Sequence, residues 1–156
     1  MRERHVDLLD DVERLVRARI LPAQISEVHI GTDPGVSPRD VGGWGSHGPA
    51  HAGVRCLPEV VAAVAHTLCD ICGHACTYTD GCASVNLHCD HEDAALKVVC
   101  DRGERAQVTV QVTQPVDLAI RVPGWTGRDY VHLMIDATPQ DVLVQGSFAR
   151  VRAASL

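Results

Sequence analysis

Between Gly42 and Cys56 the chain gathers Trp44, His47, His51, Arg55 and Cys56 among five glycines, at 42, 43, 45, 48 and 53. A flat indole can stack on a sugar ring or another planar apolar face. Histidine and cysteine can act as metal ligands, as bases or as a nucleophile. Cys56 stands just ahead of a predicted helix, where the dipole favours a thiolate. Glycine lets backbone come close to a ligand. This loop is therefore the candidate site, with Cys56 as the catalytic thiol and Trp44, His47, His51 and Arg55 as substrate contacts. The bland alternative is a surface loop with a packed tryptophan.

A second set is Cys69, Cys72, Cys76, Cys82 and Cys89, with His74 and His88 nearby. A structural zinc site needs four converging nitrogen or sulfur ligands, usually from turns. Three of these cysteines fall inside a helical pattern, where cysteine behaves as a small apolar residue. A third set, Asp90, Glu92, Asp93, Asp101 and Glu104, offers paired carboxylates of the kind that cleave glycosidic bonds. These acids lie at strand ends and turns, the usual place for solvated carboxylates.

The elements that must hold these residues are readable in outline. Leu8, Leu9, Val12, Leu15, Val16 and Ile20 recur at helical spacing and predict an amphipathic helix over 5–20, ended by Pro22. Its acids and arginines form i,i+4 pairs, Asp10 with Arg14 and Glu13 with Arg17, and read as a solvated surface. From Pro22 to Leu57 only Ile25, Val28 and Ile30 suggest a short extended piece. Pro58-Glu59 opens a second predicted helix, 58–77, with Val61, Val64, Ala65, Leu68, Ile71, Cys72 and Ala75 as its apolar stripe. Thr79-Asp80-Gly81 is a turn, after which the period changes to two.

Strands are expected at 84–88, 96–100, 107–113, 116–122, 130–136, 142–145 and 148–152. About seven short strands at roughly 8–12-residue spacing indicate an antiparallel β-sandwich. The clearest is Leu118-Ala119-Ile120-Arg121-Val122, stopped by Pro123-Gly124 before Trp125. Its period of two sets Leu118, Ile120 and Val122 on one face and Arg121 on the other. The fold class is α+β, two helices followed by a sandwich, with domains 1–81 and 82–156.

Composition narrows the function. The chain has 156 residues, about one domain, and 46% of them are apolar. Aromatics make up only 3%, so the core rests on aliphatic side chains, alanine and cysteine. With 20 acids against 14 bases and no basic run, nucleic acid is not an expected partner. No apolar stretch approaches the roughly 18 residues that would span a bilayer. The N-terminus, Met1-Arg2-Glu3-Arg4-His5, lacks the apolar core of a signal peptide. The expectation is a cytoplasmic protein, in which an odd count of seven cysteines favours thiols or metal ligands over disulfides.

These pieces, in order, resemble the C-terminal part of the β-L-arabinofuranosidase-like glycoside hydrolases (family 127), six-hairpin glycosidases. The segment Asp11–Gln24 resembles a late helix of their (α/α)6 barrel, and Cys56-Leu57-Pro58 the Cys-Cys-Pro region opening the last barrel helix. Ser84-Val85-Asn86-Leu87-His88 resembles the "VNLY" strand, Leu118–Trp125 the "LRIPGW" strand, and Gly146-Ser147-Phe148 the closing strand. The resemblance implies retaining hydrolysis of arabinofuranosides by a cysteine nucleophile on a zinc held by Glu and Cys ligands. Of the family's site only Cys56 carries over, as ligand or as nucleophile. Arg55 stands in place of its neighbouring cysteine. The chain is expected to be two last barrel helices plus a sandwich, carbohydrate-binding, not catalytic by itself, and self-associating through unburied helix faces. The alternatives are a non-catalytic sandwich module and a zinc-binding module.

Overall fold

The computed structural model describes residues 3–30, 32, 36–46, 55–56 and 58–152, with backbone alone for 3–7, 45–46, 55–56 and 58–59. Helix α1 (Glu3–Leu15) runs on into a single π-turn, Val16–Ile20, closed by the Leu21 N–H on the Val16 carbonyl at 2.8 Å. Strands β1 (Gly45–Ser46) and β2 (Arg55–Cys56) precede helix α2 (Pro58–Ala75). Then come β3 (Cys76–Thr79), β4 (Cys82–Val85), β5 (His91–Glu92), β6 (Leu96–Arg102), β7 (Ala106–Val112) and β8 (Asp117–Arg121). The last four are β9 (Leu133–Ile135), β10 (Thr138–Gln140), β11 (Leu143–Gln145) and β12 (Phe148–Val151). The architecture is α+β, as the sequence predicts.

Contacts divide the chain into two compact units, Met1–Asp11 with Cys72–Leu156, and Val12–Ile71. In the first unit a five-stranded sheet of order β11-β12-β8-β4-β3 faces a three-stranded sheet of order β5-β6-β7. Their inward residues meet in one core: Cys76, Ala83, Val85, Leu118 and Val151 from the larger sheet, Leu96 and Val98 from the smaller. Among the described strands every pair is antiparallel except β4 with β8, where Ala83 lies beside Leu118 and Val85 beside Ile120 in a parallel register. That single parallel pair is the departure from the expected all-antiparallel sandwich.

Local chemistry explains most of the boundaries. Asp80 and Gly81 both take positive φ, 52° and 75°, the conformation a two-residue hairpin loop requires between β3 and β4. Asp136 and Ala137 do the same, at 47° and 63°, between β9 and β10. Thr138-Pro139, which falls between the expected strands 130–136 and 142–145, is therefore strand. Its proline is tolerated because the β9–β10 ribbon has only two strands, leaving an open edge. Helix α2 stops at Ala75, two residues short of its expected end, and Cys76 begins a strand. The Ala75 carbonyl accepts the Asn86 N–H at 2.7 Å, and the His74 carbonyl accepts Asn86 Nδ2 at 3.1 Å. These bonds satisfy carbonyls that a helix end leaves open.

Two expectations for the helices are corrected. On α1, Leu8 and Leu15 are exposed, whereas Asp10 and Glu13 are buried, at 8% and 4% exposure. The charges are thus not simply a solvated surface. Glu13 takes Arg17 at 3.0 Å as expected, but the partner that buries Asp10 is Arg121. On α2, Cys69 and Cys72 are exposed, so they do not share the half-buried stripe of Val61, Val64, Leu68 and Ile71. The extended piece after Pro22 reaches only Ile25, whose N–H donates to the Gly43 carbonyl at 2.9 Å. Glu27–His29 is a short 3₁₀ turn. No described helix is long and apolar enough to cross a membrane.

Candidate functional site

The Gly-rich stretch is a small β-hairpin at its base. Gly45 pairs with Cys56 and Ser46 with Arg55, so the backbone of Cys56 lies across from the residue that follows Trp44. Trp44 itself bridges to Gln24, and the Gly42 N–H donates to the Ile25 carbonyl at 2.8 Å. The indole Nε1–H donates to the Ile20 carbonyl at 2.8 Å, at the end of the π-turn. The ring is thereby held half-buried with its polar end engaged, the arrangement expected of a fixed apolar platform. Gly42, at φ 86°, supplies the left-handed turn that brings the chain to the tryptophan. Just upstream, Ser37 donates both its N–H and its hydroxyl to Asp40 Oδ2 at 2.8 Å, which holds the carboxyl below its ordinary pKa.

Five residues were expected to make the site. The structure brings Trp44, Arg55 and Cys56 to one hairpin base, by backbone register for the last two. His47 and His51 lie outside the described residues, as do Leu57 and the side chains of Arg55 and Cys56. The zinc implied by the resemblance would be held in part by Cys56, whose side chain lies outside the described residues. Among the described residues no three of His, Cys, Asp and Glu gather to hold a metal.

Sequence reasoning missed a buried polar node at the stretch of clearest periodicity. The face of β8 that carries Arg121 is covered as well: Ala119 is 2% and Arg121 1% exposed. Arg121 donates through Nη1 to Asp10 Oδ1 and through Nε to the Asn86 carbonyl. The other Asp10 oxygen takes the Gly124 N–H at 2.9 Å. His88 Nε2 donates to the Arg121 carbonyl at 2.7 Å. Two of the three strand motifs that carry the resemblance thus meet at Arg121. The glycine of Pro123-Gly124 has a definite reason, since a Cβ there would stand 2.6 Å from Asp10 Oδ2. The node is buried and fully bonded, so its role is to hold the fold.

Of the acidic set, Asp93 has a structural role too. Asp93 opens the tight turn between β5 and β6, and its Oδ1 accepts the N–H groups of Ala95 and Leu96 at 2.8 and 3.0 Å. Its Oδ2 accepts the Tyr78 hydroxyl at 2.6 Å and His91 Nε2 at 2.9 Å. The Tyr78 and His91 bonds hold its carboxyl far below the usual carboxylate range. Burial and the bond to Asp93 push the Tyr78 hydroxyl up. A carboxylate with a depressed folded-state pKa adds stability above its unfolded value, about 3.9, and loses it as the pH falls toward the folded value. Asp93→Asn is therefore expected to lower the melting temperature at neutral pH and to flatten the wild-type loss of stability below about pH 4. Thermal melts across that range check it, and parallel pH profiles would refute it. Beside this turn Asp90, His91, Glu92, Lys97, Val98 and Val99 line an open concavity of about 370 Å³. Lys97 and Glu92 there already bond each other at 2.8 Å.

Comparison with protein-family models, curated proteins and solved structures finds no match to the chain.

Proposed function

We propose that the chain is the C-terminal part of a carbohydrate-active glycoside hydrolase of the arabinofuranosidase type, which binds sugar but does not turn it over alone. Trp44 is its stacking platform, Cys56 the candidate thiol, and His47, His51 and Arg55 complete the contacts. The observation that supports this most is the Gly45–Cys56 pairing, which sets Cys56 next in register to an anchored tryptophan. The order of two helices and a sandwich agrees with the resemblance. Cytoplasmic residence belongs to the same proposal. Self-association is part of it as well, since Leu8 and Leu15, two turns apart on α1, are 57% and 55% exposed.

The test is a titration of a Trp125→Phe protein, which leaves Trp44 as the sole indole, with an aryl arabinofuranoside. Saturable quenching of the indole fluorescence is expected, and Trp44→Ala in the wild-type background should weaken binding measured calorimetrically by about tenfold, or 1.4 kcal/mol. A flat titration overturns the proposal. If the glycoside is slowly cleaved, equal rates for wild type and Cys56→Ala remove any catalytic part for Cys56.

A second reading, a non-catalytic structural module, draws on the buried Asp10–Arg121 tie between α1 and the sandwich. It expects a flat titration and unchanged folding after Trp44→Ala.

A further inference from the structure

We propose that Cys89 and Cys100 form a redox-sensitive pair, closing to a disulfide beside the β5–β6 hairpin on two-electron oxidation. Residues on β5 and β6 pair with His91 opposite Val98 and Glu92 opposite Lys97. Carried back two residues, that register sets Cys89 opposite Cys100. β5 begins at His91 and Cys89 lies in the bend before it, and the segment stays tied to β6, because the Cys100 N–H donates to the side chain of the intervening Asp90, at Oδ1, at 2.8 Å. Facing residues of an antiparallel pair have Cα atoms about 4.5–5.5 Å apart, inside the roughly 4.4–6.8 Å that a disulfide spans. Both side chains are half-buried, so a small oxidant can reach them.

Cys76 is the third thiol of this neighbourhood. Cys100 packs against the core cluster to which Cys76 belongs. Burial first, then the nearby Cys89, Asp93 and Cys100, push the Cys76 thiol up to about 12. A thiol kept protonated and 7% exposed is a poor nucleophile, which leaves Cys89 and Cys100 as the reacting pair. With hydrogen peroxide as oxidant, one thiolate attacks a peroxide oxygen and becomes a sulfenic acid, releasing water. The second thiolate then displaces the sulfenic oxygen, which leaves as water. Two thiols and one peroxide thus give one disulfide and two waters, and an external dithiol reverses the reaction. Disulfides of this reversible kind are the ones found in reducing compartments.

The experiment treats the reduced full chain with hydrogen peroxide, alkylates the remaining thiols, and maps peptides without reduction by mass spectrometry. A peptide pair linking Cys89 to Cys100, lighter by two hydrogens, is expected. It should vanish in Cys89→Ser and Cys100→Ser and persist when Cys69 and Cys72 are both serine. The oxidised wild type should melt about 5 °C or more above the reduced form, and oxidised Cys100→Ser should show no such rise. Recovery of Cys89 and Cys100 as alkylated or separately oxidised residues, or either one linked to Cys76, overturns the proposal.

Discussion

Replacing Asp10 by alanine is expected to lower stability by about 3–5 kcal/mol. The reason lies in what is left behind rather than in what is lost. Arg121 is the largest fully buried side chain described, at 1% exposure, and a guanidinium cannot shed its charge. Desolvation of a buried ion pair consumes most of its Coulombic gain, so the pair itself adds little net stability. Removing one member leaves the other charged, dry and short of an acceptor, while the Gly124 N–H loses its partner as well. Asp10→Ala combined with Arg121→Met should therefore recover most of the loss, which a simple count of contacts would not anticipate. Asp11→Ala, one residue along and exposed, should stay within about 0.5 kcal/mol of wild type. Urea unfolding of the four proteins decides the matter. A loss below about 1 kcal/mol for Asp10→Ala would show that Arg121 is not truly sequestered.

Periodicity made the sandwich legible. Leu96, Val98 and Cys100 alternate on β6, the hairpin glycine follows Asp80, and Pro58 opens α2 at its first position. The buried node was not legible, because its partners stand 111 residues apart and Asp10 is one of several acids among arginines on α1. Hydrophobic pattern predicts which face is apolar. It says nothing of a charged face that is buried because one specific partner waits there. Cys76 shows the same limit at smaller scale: an apolar residue that continues a helical stripe equally suits the first inward position of a strand. The hairpin base at Trp44 escaped for another reason. Two-residue strands are too short to carry any period, and the Gln24–Trp44 and Gly45–Cys56 bridges are fixed by tertiary contact. The composition of that loop was informative, and its geometry was not. Pro123-Gly124 reads from the sequence as a strand stop, while the physical demand on the glycine, room for the Asp10 carboxylate, exists only with the helix in place.

The second large effect is expected from the core itself. Leu96→Ala should cost about 2–5 kcal/mol, since the loss of a fully buried leucine combines lost transfer energy with the cavity left behind. Leu96 is 0% exposed and packs with Val85 at 0%, Val98 at 1% and Leu118 at 4%, so both sheets border the hole. With aromatics at 3% of the chain, no large ring stands ready to swing into the space, and the rigid sheets cannot collapse far around it. Val99→Thr, on the same strand but pointing outward at 43% exposure, should change stability by no more than about 0.5 kcal/mol. The contrast between neighbouring positions is the informative quantity. A single layer of sheet wetted on both sides would make the two substitutions similar and small. Two sheets closed on one core make the first severe and the second mild. Chemical unfolding of both variants, compared at equal slope against denaturant, distinguishes the cases, and near-equal losses would mean that the two sheets do not share a core.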